Sequence, residues 1–270
     1  MTAERTRLEI AGFYFKDLSG IRLEWSLKID EATVKPRNQL SFFMGKENAN
    51  NRLPFYKLSC LLEQLNCPDE VVEFQKKTSC FSLTQGIRFS LSDVYHEHCI
   101  YLHYKDIASQ QVKRDAYRWN DLGFIAHTFY KFYLFSDLPK NRSPLNYAHP
   151  QYRHVLEHLL KNDRLQCESG FLLQYQGHRV MEIYITYHWH PVVETILGSH
   201  LDFGTENNGI AQYKSLNFRH IGFSSFEVEN PSMTLYFSAP LQGKWPDNLQ
   251  QAQEEVRLSG QALHELLKHI

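Results

Sequence analysis

Alternation of apolar and polar residues with a period of two is the strongest signal in the chain. Over residues 22–29, Leu23, Trp25, Leu27 and Ile29 face one way and Arg22, Glu24, Ser26 and Lys28 the other, as in a half-buried strand. Residues 37–44 repeat it, with Leu40, Phe42 and Met44 opposing Arg37, Gln39 and Ser41. So do residues 86–91, where Ile87, Phe89 and Leu91 oppose Gly86, Arg88 and Ser90, and residues 99–106, where Ile100, Leu102 and Tyr104 oppose Tyr101, His103 and Lys105. Further strands are predicted over residues 171–176 and 180–189, joined by a tight turn, and over 216–224 and 233–238, flanking Asn230-Pro231. Residues 8–16 form an apolar, aromatic run that ends in Asp17-Leu18-Ser19-Gly20 and reads as the first arm of a hairpin.

Helical spacing marks residues 53–65 (Leu58, Leu61, Leu62, Leu65), 112–135, 151–161 and 248–270, and residues 139–150, rich in Pro, Asn and Ser, read as a loop. The resulting alternation of strand pairs and helices predicts antiparallel hairpins, each with a helix to cover its apolar face. The opposite face gathers Glu24, Lys28, Arg37, Arg88, His103, Lys105, Glu182, Tyr184 and Tyr236. Closing the sheet removes its edges and brings these groups into one lumen. The expected fold is α+β, a closed antiparallel β-barrel with a polar and aromatic lumen surrounded by helices, in a single domain over residues 1–270. An α+β sandwich with a solvated charged face is the alternative.

Composition narrows the partners. A formal net charge of −1 offers no bulk attraction to nucleic acid or anionic membrane, and 43% hydrophobic content supports one large core. Five cysteines without a Cys-x-x-Cys pair fit reduced thiols. The charged N-terminus lacks an apolar signal segment, and no window approaches the roughly 20 apolar residues of a membrane span. A soluble, cytoplasmic protein is expected.

Cations and tyrosine hydroxyls in such a lumen suit a diphosphate, and aromatic faces, abundant at 14% of the chain, suit a carbocation. A carboxylate beside them suits a general base. The sequence has no Asp-Asp dipeptide, so side chains are expected to hold the diphosphate. No resident cofactor is expected, with Mg2+ at most accompanying the diphosphate.

The segments Leu23–Ile29, Ser41–Phe43, Gly86–Arg88 with His103–Asp106, Glu182–Tyr184 and Thr234–Phe237, taken in order, resemble the ABBA-type prenyltransferases, and most of all the cyanobactin peptide prenyltransferases. The resemblance implies that Glu24 is the catalytic glutamate, that Arg37, Arg88, His103 and Lys105 contact the diphosphate, and that Tyr184 and Tyr236 belong to a tyrosine shield. It implies a dimethylallyl or geranyl diphosphate donor and a linear or cyclic peptide acceptor modified on Tyr, Trp, His or Arg. Donor length is implied by the strand carrying Ile221-Gly222-Phe223: Gly222 facing the lumen leaves room for geranyl, the favoured expectation, and Phe223 there favours dimethylallyl. Residues 4–15 resemble the family's C-terminal strand placed ahead of the first, so a circularly permuted barrel, or one with altered terminal strands, is expected. The stretch 108–167 is longer than the family implies.

Other functional classes have their own signals. His188, His190 and Glu194 have the His-x-His-x-x-x-Glu spacing of a cupin metal site, without a second motif. His154, Glu157 and His158 match a helical zinc-protease pattern but read more simply as a solvated helix face. His96-Glu97-His98-Cys99 is at most half a zinc site. A non-catalytic barrel that binds a small hydrophobic anion is the remaining alternative.

Overall fold

The computed structural model describes residues 3–30, 34–37, 39–45, 53–90, 96–105, 112–133, 143–161, 167–175, 178–185, 218–225, 228–241, 245–246, 250–251 and 254. Two compact units interleave along the chain. The first takes residues 1–25, 38–129 and 240–255, and the second residues 26–37, 130–239 and 256–270.

In the first unit, α1 (Ala3–Phe15) precedes β1 (Ile21–Ile29), which continues into the second unit. Then come β3 (Gln39–Gly45), α2 (Leu53–Gln64), α3 (Asp69–Thr78), β4 (Ser82–Ser90), β5 (His98–Lys105), β6 (Val112–Asn120) and most of β7 (Gly123–Tyr133). The short β2 (Val34–Pro36) lies between β1 and β3 in the chain. Neighbours pair in the order β1-β3-β4-β5-β6-β7, antiparallel from β1 to β6. Leu23, Phe42, Ile87, Phe89, Ile100, Leu102 and Trp119 are fully buried, as are Leu8 and Phe15 of α1 and Phe55, Leu58, Leu61 and Leu62 of α2.

Two expectations fail here. Residues 8–16 are not a strand: α1 takes them up to Phe15, so no hairpin forms with β1 and no permuted strand precedes it. Helix α1 is held instead by side chains, as Trp245 stacks on Phe42 (4.7 Å between rings) and its indole N–H donates to the Leu8 carbonyl at 2.7 Å. Of the helix predicted over 112–135, residues 112–133 are instead the strands β6 and β7, turned at Asn120–Gly123, where Leu122 N donates to Asn120 Oδ1 (2.9 Å) and Gly123 has φ +118°. Alternation is hidden in β6 because its apolar side carries Asp115, which accepts from Tyr104 Oη and bonds His127 Nε2, each at 2.5 Å. Burial of a carboxylate requires such partners.

The helix α3 is not among the elements that the sequence pattern predicts. Pro68 stands at its N-cap, Asp69 and Glu70 fill the first turn and Lys76 and Lys77 the last, matching the helix dipole. Gln75, fully buried, donates to Gln85 Oε1 of β4 at 2.6 Å and accepts from Ser59 of α2 at 2.6 Å. This ties both helices to the sheet.

The second unit contains α4 (Arg153–Lys161), β8 (Cys167–Tyr175), β9 (His178–Ile185), β10 (Phe218–Phe223) and β11 (Met233–Pro240). The order is β8-β9-β10-β11, with β7 beside β8, β11 also paired to β1, and β1 to β2. Its core contains Leu27, Ile29, Tyr152, Val155, Leu156, Ile221, Phe223, Leu235 and Phe237. The expected strand pairs and α4 are present, close to their predicted bounds. Most of the predicted helix over 248–270 lies outside the described residues. No described helix is long and apolar enough to cross a membrane.

Candidate active site

Strand register lines up chemistry that the sequence spreads over a hundred residues. Glu24 pairs with Ser41, Ser41 with Arg88, Arg88 with Cys99 and Cys99 with Arg118. Directly paired residues point to the same side of a sheet, so these five share one face. The next row is Arg22, Phe43, Gly86, Tyr101 and Ala116, and a third joins Thr84, His103 and Arg114. With strands about 4.8 Å apart, Glu24 and Arg88 lie about 10 Å apart along the row.

Glu97 organises the cations. Its carboxylate, only 7% exposed, takes a 2.8 Å hydrogen bond from Arg88 Nη2 through Oε1, while Oε2 lies 3.6 Å from Arg118 Nη1. The guanidiniums of Arg88 and Arg114 each sit 5.8 Å from the Tyr101 ring centre, a cation–π arrangement. Phe43 lies 5.8 Å from Tyr101 and edge-on to His103 at 6.1 Å. Gly86 makes room for that ring, since a Cβ there would lie 2.3 Å from Phe43 Cδ1.

Burial, followed by the charge of Arg114, pushes the His103 pKa well below its ordinary value, so His103 is neutral and offers a hydrogen bond rather than a charge. Burial raises the Cys99 thiol above its ordinary value and outweighs the opposing pull of Arg88. Cys99 is therefore a neutral thiol at pH 7. The face thus carries four arginines (Arg22, Arg88, Arg114 and Arg118), a buried carboxylate beside them, and an aromatic floor. It can receive a polyanion on the guanidiniums and shield a cation on the rings.

No family model and no curated protein matches the chain. Among solved structures, the crystal structure of AnaPT from Neosartorya fischeri aligns with a TM-score of 0.50 over 83% of this chain and 79% of that one, at 13% identity. The fold is similar to that of AnaPT.

Within the first unit, the structure brings together Glu24, Arg88 and His103 of the expected residues. Lys105 is exposed at the end of β5, and Lys28, further along β1, is also exposed. The sequence marks Glu97 only within the His96–Cys99 half-site and Phe43 only within a resemblance segment, and assigns no role to Arg114, Arg118 or Tyr101. The readable signal was parity: Glu97 is two residues from Cys99, and Arg114 and Arg118 alternate with Asp115, Tyr117 and Trp119.

The same parity dismantles the His96–Cys99 half-site. His96 pairs with Asp121 (3.1 Å) and Glu97 with the arginines, while His98 packs between Phe89 and Trp119 on the apolar side. In α4, His154 is exposed, in keeping with a solvated face. Among the described residues, no group of three or more His, Cys, Asp or Glu could hold a metal ion. His188, His190 and Glu194 lie outside the described residues.

The second unit has its own row, Tyr184, His220 and Tyr236, with Glu182, Gly222 and Thr234 in the next. His220 is buried and stacks on Tyr236 at 4.2 Å. Gly222 therefore shares the face of Tyr236, whereas Phe223 is fully buried on the other, 6.5 Å from the Tyr152 ring. Arg37, half-buried, donates its backbone N–H to the Ser26 carbonyl at 3.0 Å.

Proposed function

We propose that the protein transfers a prenyl group from its diphosphate to an amino-acid side chain of a peptide, as the cyanobactin enzymes do. The observation that carries this reading is the row Glu24-Ser41-Arg88-Cys99-Arg118 on one face of a prenyltransferase-like fold. The allylic C–O bond ionises and pyrophosphate leaves with the bonding electrons, held by Arg88, Arg114 and Arg118 with His103 as a neutral donor. The Tyr101 and Phe43 faces shield the allylic cation. The acceptor side chain forms the new bond to that carbon, and Glu24 takes the proton it loses. Mg2+ accompanying the diphosphate would neutralise part of its charge, leaving the remainder to the arginines.

Lys105 is proposed to add to the diphosphate contacts of the first unit, while Arg37, Tyr184 and Tyr236 keep the diphosphate and shield roles that the family resemblance implies. Gly222, on the face of Tyr236, supports geranyl over dimethylallyl as donor. Closure of the strands into a barrel is part of the same proposal.

Incubation with labelled geranyl and dimethylallyl diphosphates and linear and cyclic peptides bearing Tyr, Trp, His or Arg tests the proposal by mass spectrometry. A prenyl mass increment on one peptide is expected; none on any peptide overturns it. Glu24→Gln should lower turnover by about 100-fold or more, with pyrophosphate binding within about twofold of wild type. Wild-type turnover in that variant removes Glu24 as the base.

A further inference from the structure

We propose that Glu97 is a positioning residue: it braces Arg88 and Arg118 as a fork for the donor's diphosphate and for the pyrophosphate released from it. This rests on the transferase reading for the identity of the ligand.

The argument begins with what a buried acid does beside a polyanion site. A carboxylate near a bound diphosphate repels it, so its presence among the arginines of this face calls for a compensating role. Geometry supplies one. Arg88 and Arg118 stand on strands separated by β5, opposite Cys99 on its two sides. Glu97, two residues before Cys99 on the same face, reaches both, at 2.8 Å and 3.6 Å.

Each contact engages one terminal nitrogen of a guanidinium that carries five N–H donors in a fixed plane. Holding one edge of the plane fixes where the others point. Two long side chains that would otherwise sample many rotamers are then ordered before the ligand arrives, and that ordering cost is removed from binding. Tyr101 adds a second restraint on Arg88 through its ring face. Arg114 lies over the same ring, so its guanidinium adds positive charge beside the fork.

A carboxylate that merely neutralised buried arginines predicts the opposite response to its removal. Without the competing anion, pyrophosphate would then bind as well or better. Calorimetry with inorganic pyrophosphate separates the two roles, alongside donor KM and kcat.

Glu97→Ala should weaken pyrophosphate binding by about 10-fold or more. Donor KM should rise in parallel while kcat changes by less than about threefold, and Glu97→Asp should restore part of the affinity. Arg118 is 29% exposed, so Arg118→Gln should fold even where Glu97→Ala does not, and it should weaken pyrophosphate binding to a similar extent. Unchanged or tighter binding in folded Glu97→Ala, or in Arg118→Gln, overturns the proposal, as does wild-type protein that does not bind pyrophosphate. Pyrophosphate binding lost in these variants, without prenyl transfer by the wild type, would sink the transferase reading and leave the brace standing.

Discussion

Gly86 shows how one missing side chain shapes the candidate site. A Cβ there would lie 2.3 Å from Phe43 Cδ1 and 3.0 Å from Cγ, so the whole ring, rather than its tip, must move. Tyr101 and His103 already border that ring. Gly86→Ala should therefore cost about 1–3 kcal/mol of stability through overpacking, read by chemical denaturation, and should raise donor KM by displacing the aromatic floor. Unchanged stability and KM would show that Phe43 swings away freely. Glu24, Arg88 and His103 could be placed on one face from the sequence because parity within a strand is local. Glu97 and Arg118 could not, because their meeting depends on the registers of β4, β5 and β6, which the sequence does not print.

Among the elements, α1 and the β6–β7 hairpin show where pattern misleads. Apolar spacing in residues 8–16 suits a strand as well as a helix, and the choice is made by contacts with Trp245, over two hundred residues away. In β6, Asp115 on the apolar side breaks the alternation that marks the other strands. Gly12 tests the α1 docking. Alanine is favoured over glycine within a helix by about 1 kcal/mol, but a Cβ at Gly12 would lie 2.8 Å from Trp245 Cδ1. Displacing an indole that stacks on Phe42 and donates to Leu8 outweighs the propensity gain at about 1–3 kcal/mol. Gly12→Ala should thus destabilise the protein and red-shift the Trp245 fluorescence component, and a stabilised variant would show that α1 slides without loss.

For the whole molecule, the response to acid follows from buried imidazoles, His103 and His98, more than from net charge. With 14 histidines and a formal charge of −1, the chain becomes strongly cationic as pH falls, but exposed histidines charge alike in folded and unfolded states and so shift stability little. His98 differs. Burial between Phe89 and Trp119, with the charge of Arg7 adding to it and that of Asp121 opposing, lowers its pKa from 6.5 to about 4. A depressed folded-state pKa means that the unfolded chain binds the proton first. The stability His98 contributes is therefore fully present above pH 6.5 and is lost as pH falls towards 4. That range corresponds to about 3 kcal/mol. Other groups titrate in the same window, so the informative quantity is the difference in slope. Urea denaturation of wild type and His98→Met at intervals from pH 7 to pH 4 should give a shallower loss of stability in the variant, whatever its stability at pH 7. Parallel slopes would mean that His98 opens to solvent and charges without unfolding the sheet around it.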